Sequence, residues 1–292
     1  MRISEKSKKI AGRSVWALVR AVIILGLCYV ILYPFFVKTV TAFMPYQDLL
    51  DPTVRFIPKH FTLDNLRTVF SRLDYGQTLL NTSLLSVGTA LLTTMISSFV
   101  AYGFARYAFK GNGLLFAGVI LTLIVPPQTI IIPLFLRFRF FAGFLNLLDT
   151  PLPIVILSLT GLSLKNGLFI FMLRQFYKNL PHELEEAAWL DGCGAMDTYF
   201  RVMLPSARTL LITVFLLSLS WNWTDTLYAP LFLPGVQLFA NMVGMSASGE
   251  SPIMAGIMQN LGALLAVLPL ALIYIVLQKF FVQSVERAGI VG

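Results

Sequence analysis

Long apolar stretches alternate with short polar connections along most of this chain. Six of the stretches are long enough to cross a lipid bilayer as helices, since a crossing needs about 20 mostly apolar residues. The six stretches are Val15–Val37, Leu79–Phe104, Leu114–Leu136, Leu152–Leu173, Leu210–Leu231 and Ile257–Phe280. The pattern therefore predicts an all-α membrane protein with six transmembrane helices.

Proline interrupts two of these predicted spans. The third contains Pro126, Pro127 and Pro133, and the sixth contains Pro269. Proline lacks a backbone donor, and the carbonyl it leaves free must be satisfied by a neighbouring helix or by a water-lined cavity. Each break is thus either a kink in a packing helix or part of a cavity, and the sequence leaves both interpretations open.

Composition agrees with a membrane environment. Hydrophobic residues make up 57% of the 292 residues and charged residues 12%, with a mean hydropathy of +0.78. Soluble domains carry about 25% charged residues. A soluble protein this apolar would lack a polar surface, so lipid is the expected solvent of most of the chain.

The net charge of +8 comes from short clusters of Lys and Arg between the apolar spans. With the N-terminus in the cytoplasm, fourteen of the 22 Lys and Arg fall on the cytoplasmic side and seven on the other, while Lys165 lies within a span. This bias follows the positive-inside rule and predicts both termini in the cytoplasm. The placement is unlike the basic patch of a nucleic-acid-binding protein, and no nucleic-acid partner is expected.

The first apolar stretch is interpreted as an uncleaved helix. Signal peptides have an apolar region of about 7–15 residues followed by a small-residue cleavage site. Val15–Val37 is longer, and no such cleavage pattern follows it. The expected organisation is a cytoplasmic tail, residues 1–14, followed by one transmembrane domain, residues 15–292.

Two long connections are predicted on the external side. The first runs from about Pro45 to Gln77 and includes a stretch from Asp64 with a weak helical period, which indicates a short helix on the membrane surface. The second runs from Pro230 to Pro252.

Cys28 and Cys193 are expected in different environments, so neither a disulfide nor a metal site is predicted.

The cytoplasmic connection over residues 175–208 is the most polar part of the chain after the N-terminal tail. Pro181 and the acids that follow suit a helix N-terminus, and Gly192 permits a reversal of the chain. A second short helix is expected from Ala195 to Met203, ended by Pro205. Spacing alone fits either a helix-turn-helix that transmits force from a partner or an ordinary polar connection.

The same connection resembles the EAA motif of binding-protein-dependent ABC import permeases. That motif is EAA, three residues, Gly, nine residues, Ile, one residue, Leu-Pro. Here the matching residues are Glu186, Ala187, Ala188, Gly192, Val202, Leu204 and Pro205, with Val202 in place of Ile. Further segments are similar to the carbohydrate branch, which includes the maltose-type permeases: Phe56–Asn65, Asn81–Ser83, Ala101–Arg106, Pro133–Phe135, Trp221–Asn222 and Gln278–Gly292.

The resemblance implies a type I ABC importer permease in a bacterial inner membrane. It implies a second, homologous permease, two ATPase subunits, an external solute-binding protein and a sugar or oligosaccharide substrate. The implied ATPase-coupling residues are Glu186, Ala187, Ala188, Gly192, Leu204 and Pro205. ATP and Mg²⁺ would be bound by the ATPase, so no cofactor is expected in this chain.

Other function classes have weaker support. The sequence has no G-x-x-x-x-G-K-[ST] phosphate loop, no H-E-x-x-H and no G-x-S-x-G, and His60 and His182 are expected in solvated loops. No enzyme activity is therefore predicted. A secondary transporter or channel is the alternative, but such proteins usually have internal repeats and acids within their spans. A purely structural scaffold would leave the 175–208 connection unexplained.

Polar residues inside the spans are the candidates for substrate contact, because burying them in lipid is costly. Lys165, with Asn166 beside it, is the clearest, since a mid-span lysine costs about 2.5–3.5 kcal/mol. It either pairs with the partner permease or faces the pathway, and the second case favours acidic sugars. Weaker candidates are Gln128, Asn222, Asp225 and Asn260. Trp221 and Trp223 are either anchors at the membrane interface or rings that stack on a sugar.

Overall fold

The computed structural model describes residues 2–243 and 251–290, with side chains described for 15–243 and 251–279. The predicted helical class is confirmed, because the described residues contain no β-strand and only one isolated bridge, between Phe141 and Leu145. Part of the predicted Pro230–Pro252 connection lies outside the described residues.

Fifteen α-helices and one π-helical turn make up the described residues. In chain order they are α1 (Arg2–Ala42), α2 (Tyr46–Leu50), α3 (Asp64–Arg72), α4 (Tyr75–Arg106), α5 (Asn112–Ile124), α6 (Pro127–Arg139), α7 (Leu152–Leu159), α8 (Asn166–Asn179), α9 (Glu183–Leu190), α10 (Ala195–Thr198), the π-helical turn (Tyr199–Met203), α11 (Leu204–Ser206), α12 (Arg208–Trp223), α13 (Tyr228–Phe232), α14 (Phe239–Met242) and α15 (Pro252–Ile290).

Three helices of the described chain are long and apolar enough to cross a membrane unbroken. They contain Val15–Ala42, Tyr75–Arg106 and Pro252–Lys279. Two bent pairs raise this number to five if each pair is counted as one span: α5 with α6 at 103°, and Ala195–Ser206 with α12 at 79°. The membrane class is thus supported, whereas the count of six and the direction of the termini remain predictions.

Three predicted spans differ from single straight helices. The third breaks at Pro126, where the chain turns by 103°. The fourth, predicted as continuous, breaks between Leu159 and Asn166 because Gly161 and Lys165 adopt left-handed backbone angles that end a right-handed helix. The fifth ends at Trp223, ahead of a second short helix at Tyr228.

Contacts divide the chain into two compact units, the first formed by Met1–Arg72 and Met245–Leu265. Within it, the predicted helix from Asp64 is present as α3, and the side chain of Asn65 donates to the carbonyl oxygens of Ala42 and Met44. The large apolar side chains of α1 from Val15 to Phe36 are exposed. Lipid is the medium that such a helix face requires.

A second tie in this unit joins Asp48 to His60. The backbone N–H of His60 donates to Asp48 Oδ2 at 2.8 Å, and the His60 ring nitrogen Nδ1 lies 2.9 Å from Oδ1. These hydrogen bonds hold the pKa of Asp48 below its usual value. The external connection therefore has an ordered loop ahead of α3.

The second unit, Leu73–Gly244 with Ala266–Gly292, is organised around α4. This helix packs against α7, α8 and α12. Its buried stripe consists of small hydroxyl side chains at helical spacing, which let helix backbones approach closely. The stripe comprises Thr78, Thr82, Ser86, Thr89, Thr93 and Ser97.

A side chain of the same unit contacts α15 close to its internal proline. The indole N–H of Trp223 donates to the carbonyl oxygen of Ala266 at 2.8 Å, three residues before Pro269. The helix continues through Pro269, and the bond from Trp223 joins α12 to α15 in the turn before this proline. Trp223 is buried, and a place in an interface belt is therefore excluded for it.

Candidate functional site

The 175–208 connection forms two helices joined by a tight reversal. Helix α9 ends at Leu190, and Gly192 adopts a left-handed φ of +82°. The N–H of Gly192 donates to Trp189 O at 3.0 Å, and the N–H of Cys193 donates to Ala188 O at 2.9 Å. This pair of bonds is a Schellman motif, in which glycine is favoured because its backbone tolerates positive φ.

The second arm of the loop is less regular than the sequence suggests. Helix α10 passes into the π-helical turn and then into α11, which contains Pro205. Pro205 was expected to end the second helix, but proline fits the first turn of α11, where no backbone donor is needed. The chain bends two residues after Pro205, at Ala207, before α12 begins.

The residues assigned to the EAA motif differ in exposure. Glu186, Ala187, Gly192 and Pro205 are exposed, Leu204 is half-buried, and Ala188 is buried. No atom lies within 4 Å of the position that a Cβ would take on Gly192. The exposed members form a surface that a partner can reach, whereas Ala188 belongs to the packed side of α9.

Five large apolar side chains of the loop are also exposed, and we call the four that are more than half exposed the apolar loop set: Trp189, Leu190, Met196 and Phe200. The fifth, Leu184, is 38% exposed. Leu190 is 89% exposed and is the most accessible of them. Grouped exposed apolar side chains on an otherwise polar connection are typical of a protein-binding surface. Sequence analysis missed this set, because apolar residues in a short amphipathic helix are first assigned to its buried face.

A buried ion pair anchors α9 to α4, and the sequence did not reveal it. Arg106 Nε lies 3.3 Å from Glu185 Oε2, with 2% of the Arg106 side chain and 5% of the Glu185 side chain exposed. The hydroxyl of Tyr102 donates to Glu185 Oε1 at 2.8 Å, and Arg106 Nη2 donates to Leu180 O at 2.7 Å. Glu185 precedes the motif by one residue, and its spacing of three from buried Ala188 was the only available signal.

Hydroxyl groups extend this anchor to the second arm. The hydroxyl of Tyr199 donates to Ser98 Oγ at 2.9 Å, and Ser98 Oγ lies 2.7 Å from the Tyr177 hydroxyl. All three residues are buried. The chain of contacts joins α8, α4 and the π-helical turn, so both arms of the loop are fixed to α4.

A second group of polar residues lies at the break between α7 and α8. Lys165 adopts a φ of +60° and immediately precedes α8. With Asn166 it lines a cavity of about 280 Å³, whose other polar walls include Thr122, Ser163 and Tyr228. The predicted span is therefore interrupted at the residues that the sequence marked as candidate substrate contacts.

Asn166 is 1% exposed and its side chain has no hydrogen-bond partner among the described residues. Leaving a buried amide unsatisfied costs about 1–3 kcal/mol. A Cβ built on Gly161 would lie 3.6 Å from Asn166 Nδ2, so Gly161 is close to the amide. The donor and the acceptor of this amide are thus both unpaired among the described residues, at a residue that lines the cavity.

The ammonium of Lys165 lies over the ring of Trp221, with Nζ 4.9 Å from the ring centre. An aromatic face attracts a cation by about 0.5–2 kcal/mol, less than a full ion pair in a desolvated site. No carboxylate pairs with Lys165 in the part of the chain that the structure describes. The structure therefore brings together Lys165, Asn166 and Trp221.

The four weaker candidates differ in exposure and in hydrogen bonding. Gln128 is exposed in the first turn of α6, and Asn260 is half-buried in α15, within the first unit. Asn222 donates to Ser218 O on its own helix. The Asp225 carboxylate accepts the backbone N–H groups of Leu227, Tyr228 and Ala229, so it caps α13.

Residues 79–287 match the model of the family described as binding-protein-dependent transport system inner membrane component. The chain is 28% identical to the arabinooligosaccharides transport system permease protein AraQ of Bacillus subtilis, over 96% of this chain and 97% of that protein. It is 30% identical to the lactose transport system permease protein LacG of Rhizobium radiobacter, over 76% and 78%.

A solved structure is also similar. It is the crystal structure of a bacterial ABC transporter involved in the import of the acidic polysaccharide alginate, matched with a TM-score of 0.70 at 21% identity. The match covers 91% of this chain and 96% of that chain. At this identity the likeness establishes a shared fold.

Proposed function

We propose that this chain is one of two permeases in a sugar or oligosaccharide importer. The chain belongs to the family of binding-protein-dependent transport system inner membrane components, which is the basis of the proposal. It forms half of the translocation pathway, and separate ATPase subunits supply the energy. Relatives named for arabinooligosaccharide and lactose transport support the carbohydrate class. Family membership decides against the alternative of a secondary transporter or channel.

The 175–208 loop is the ATPase docking element of this proposal. The observation that supports this role is that the loop has one side exposed to a partner and another side held by buried contacts. Gly192 and the apolar loop set are accessible, while Glu185 is fixed to Arg106 of α4. A partner that moves the exposed side of α9 therefore moves α4 through a desolvated ion pair.

The remaining assembly follows from the same family. A second, homologous permease completes the pathway, two ATPases bind ATP and Mg²⁺, and an external solute-binding protein delivers the substrate. The chain lies in a bacterial inner membrane with both termini in the cytoplasm, in accord with its distribution of Lys and Arg. ATP binding moves the docking loop and turns the pathway towards the external side.

The test is ATP-dependent uptake by the complete importer in proteoliposomes, with oligosaccharide captured by its binding protein. Leu190→Gln should lower both the amount of bound ATPase and the uptake, because it removes the most exposed apolar contact of the loop. Phe109→Gln is the matched control, since Phe109 is an exposed aromatic residue of a different cytoplasmic connection. Equal uptake and equal ATPase content in both variants would remove the docking assignment.

A further inference from the structure

We propose that the break between α7 and α8 is a carboxylate-binding site in the translocation pathway, formed by Lys165, Asn166 and the N-terminus of α8. The ligand class is an acidic sugar, such as an oligosaccharide of hexuronic acids. The inference rests on the proposed importer function and adds the substrate class and the residues that select it.

The electrostatics of the break favour an anion. The Lys165 ammonium has an aromatic ring and no described carboxylate as its neighbour, so its charge is available. Helix α8 begins at the next residue and presents its positive end there. In secondary transporters, the N-terminus of a half-helix at a break faces the anionic group of the substrate, and the same electrostatics apply to a broken helix here.

The buried amide of Asn166 is the independent observation that indicates a ligand. Its Nδ2 and Oδ1 are both buried without a partner among the described residues, and the side chain lines the cavity. Nδ2 can donate to a carboxylate oxygen, and Oδ1 can accept from a sugar hydroxyl. A uronic acid unit offers both a carboxylate and hydroxyl groups on the same ring.

The cavity has one aromatic residue in its lining and a volume that suits part of a sugar. Its volume of about 280 Å³ is slightly below that of typical small-molecule sites, which span about 300–1,000 Å³. Tyr228 lines it, and the Trp221 ring lies beneath the ammonium. The site therefore accommodates one acidic ring at a time, as expected for a chain threaded past a fixed contact.

The backbone at Lys165 allows a substitution that removes the charge without adding strain. Asn is among the residues most tolerant of a positive φ, so Lys165→Asn fits the φ of +60°. Lys165→Arg keeps the cation. Lys110→Asn is the matched control, because it removes one positive charge from an exposed position in another connection.

The experiment compares uptake of a hexuronic acid trisaccharide with uptake of the same trisaccharide after reduction of its carboxyl groups. The complete importer is assayed in proteoliposomes, with the substrates also supplied at concentrations that bypass selection by the binding protein. Lys165→Asn should lower the preference for the uronate form about tenfold, as expected for the loss of one charged contact. Lys165→Arg and Lys110→Asn should retain the preference.

Two results would overturn the inference. One is a wild-type importer that transports the reduced trisaccharide as well as the uronate form. The other is an unchanged uronate preference in Lys165→Asn. Either leaves the importer proposal intact, because ATP-dependent sugar uptake persists. An assembled wild-type complex that transports neither sugar on ATP addition would instead contradict the proposed function.

Discussion

At the scale of single residues, the ion pair of Glu185 and Arg106 makes neighbouring acids in α9 differ in role. Glu185 is buried against α4, whereas Glu186 is exposed. A charge that loses its buried partner is destabilised by about 3–5 kcal/mol. The two acids therefore have separable effects on stability and on coupling.

Glu185→Ala should destabilise the protein by about 3 kcal/mol, because Arg106 is left as an uncompensated buried charge. The hydroxyl of Tyr102 also loses its acceptor. The measurement is the thermal unfolding midpoint of the purified protein in detergent. Glu186→Ala is the control and should shift the midpoint little, since exposed substitutions are usually within about 0.5 kcal/mol. Equal midpoints for the two variants would show that the pair contributes nothing.

The external loop offers a second residue-scale prediction, on pH. The His60 hydrogen bonds lower the pKa of Asp48 from its usual 3.8 in the folded loop. A depressed carboxyl pKa contributes stability that is complete above 3.8 and is lost as the pH falls through the lower, folded-state value. The amide of His60 should consequently exchange its hydrogen faster as the pH falls below 3.8, after correction for intrinsic exchange.

Asp48→Asn should produce the same faster exchange at neutral pH, where wild-type protein is protected, because the neutral amide is a weaker acceptor than the carboxylate. Asp74→Asn is the control, since Asp74 is exposed and its carboxylate makes no hydrogen bond among the described residues. If the two variants exchange alike at His60, the carboxylate of Asp48 does not hold the loop.

At the scale of helices, the contact of α8 with α5 depends on Gly167. A Cβ on Gly167 would meet the side chain of Thr122 and would lie 2.8 Å from Val119 O. A backbone carbonyl cannot move aside without moving α5. The two helices therefore approach too closely for any side chain at this position.

Gly167→Ala should destabilise the protein by about 1–3 kcal/mol through overpacking. Gly118→Ala, in α5 of the same helix pair, has open space around its Cβ and should be neutral or stabilising. Thermal unfolding midpoints of both variants provide the comparison. A Gly167→Ala midpoint at or above that of Gly118→Ala would mean that the close approach is not required.

Sequence reasoning found the helices whose apolar pattern is unbroken, and α1, α4 and α15 correspond to the first, second and sixth predicted spans. Hydropathy averages over a whole span, so it did not detect the left-handed residues that break the fourth. Gly161 and the polar Lys165–Gly167 segment were the local signals there. The fifth span was extended too far because the carboxylate of Asp225 caps a new helix, α13, inside an apolar stretch.

The sequence likewise predicted some features of the candidate sites and not others. The turn at Gly192 followed from the tolerance of glycine for positive φ, and the sequence identified Lys165 because a buried charge is costly. The Glu185–Arg106 pair and the orphaned amide of Asn166 could not be anticipated. Both depend on which residues, distant or adjacent in sequence, share a desolvated space, and no local pattern encodes this.

At the scale of the whole molecule, the number of crossings depends on α7 and α8. With 8 and 14 residues, they extend roughly 12 Å and 21 Å at about 1.5 Å per residue. Neither length reaches the hydrocarbon thickness of about 30 Å, but the two together do. A broken span through Lys165 would place the loop before α7 outside and the loop after α8 in the cytoplasm.

Labelling with a membrane-impermeant maleimide distinguishes a crossing from a re-entrant hairpin. In a Cys28→Ala variant, the native Cys193 reports on the cytoplasmic loop. A second variant combines Cys28→Ala and Cys193→Ala with Phe144→Cys. It reports on the connection before α7, where Phe144 is 81% exposed. In intact spheroplasts, the cysteine at position 144 should react and Cys193 should react only after permeabilisation. If both sites react from the same side, α7 and α8 enter and leave the membrane on one face. The Lys165 break could then not lie midway along a crossing, and the predicted count of six would fall to five.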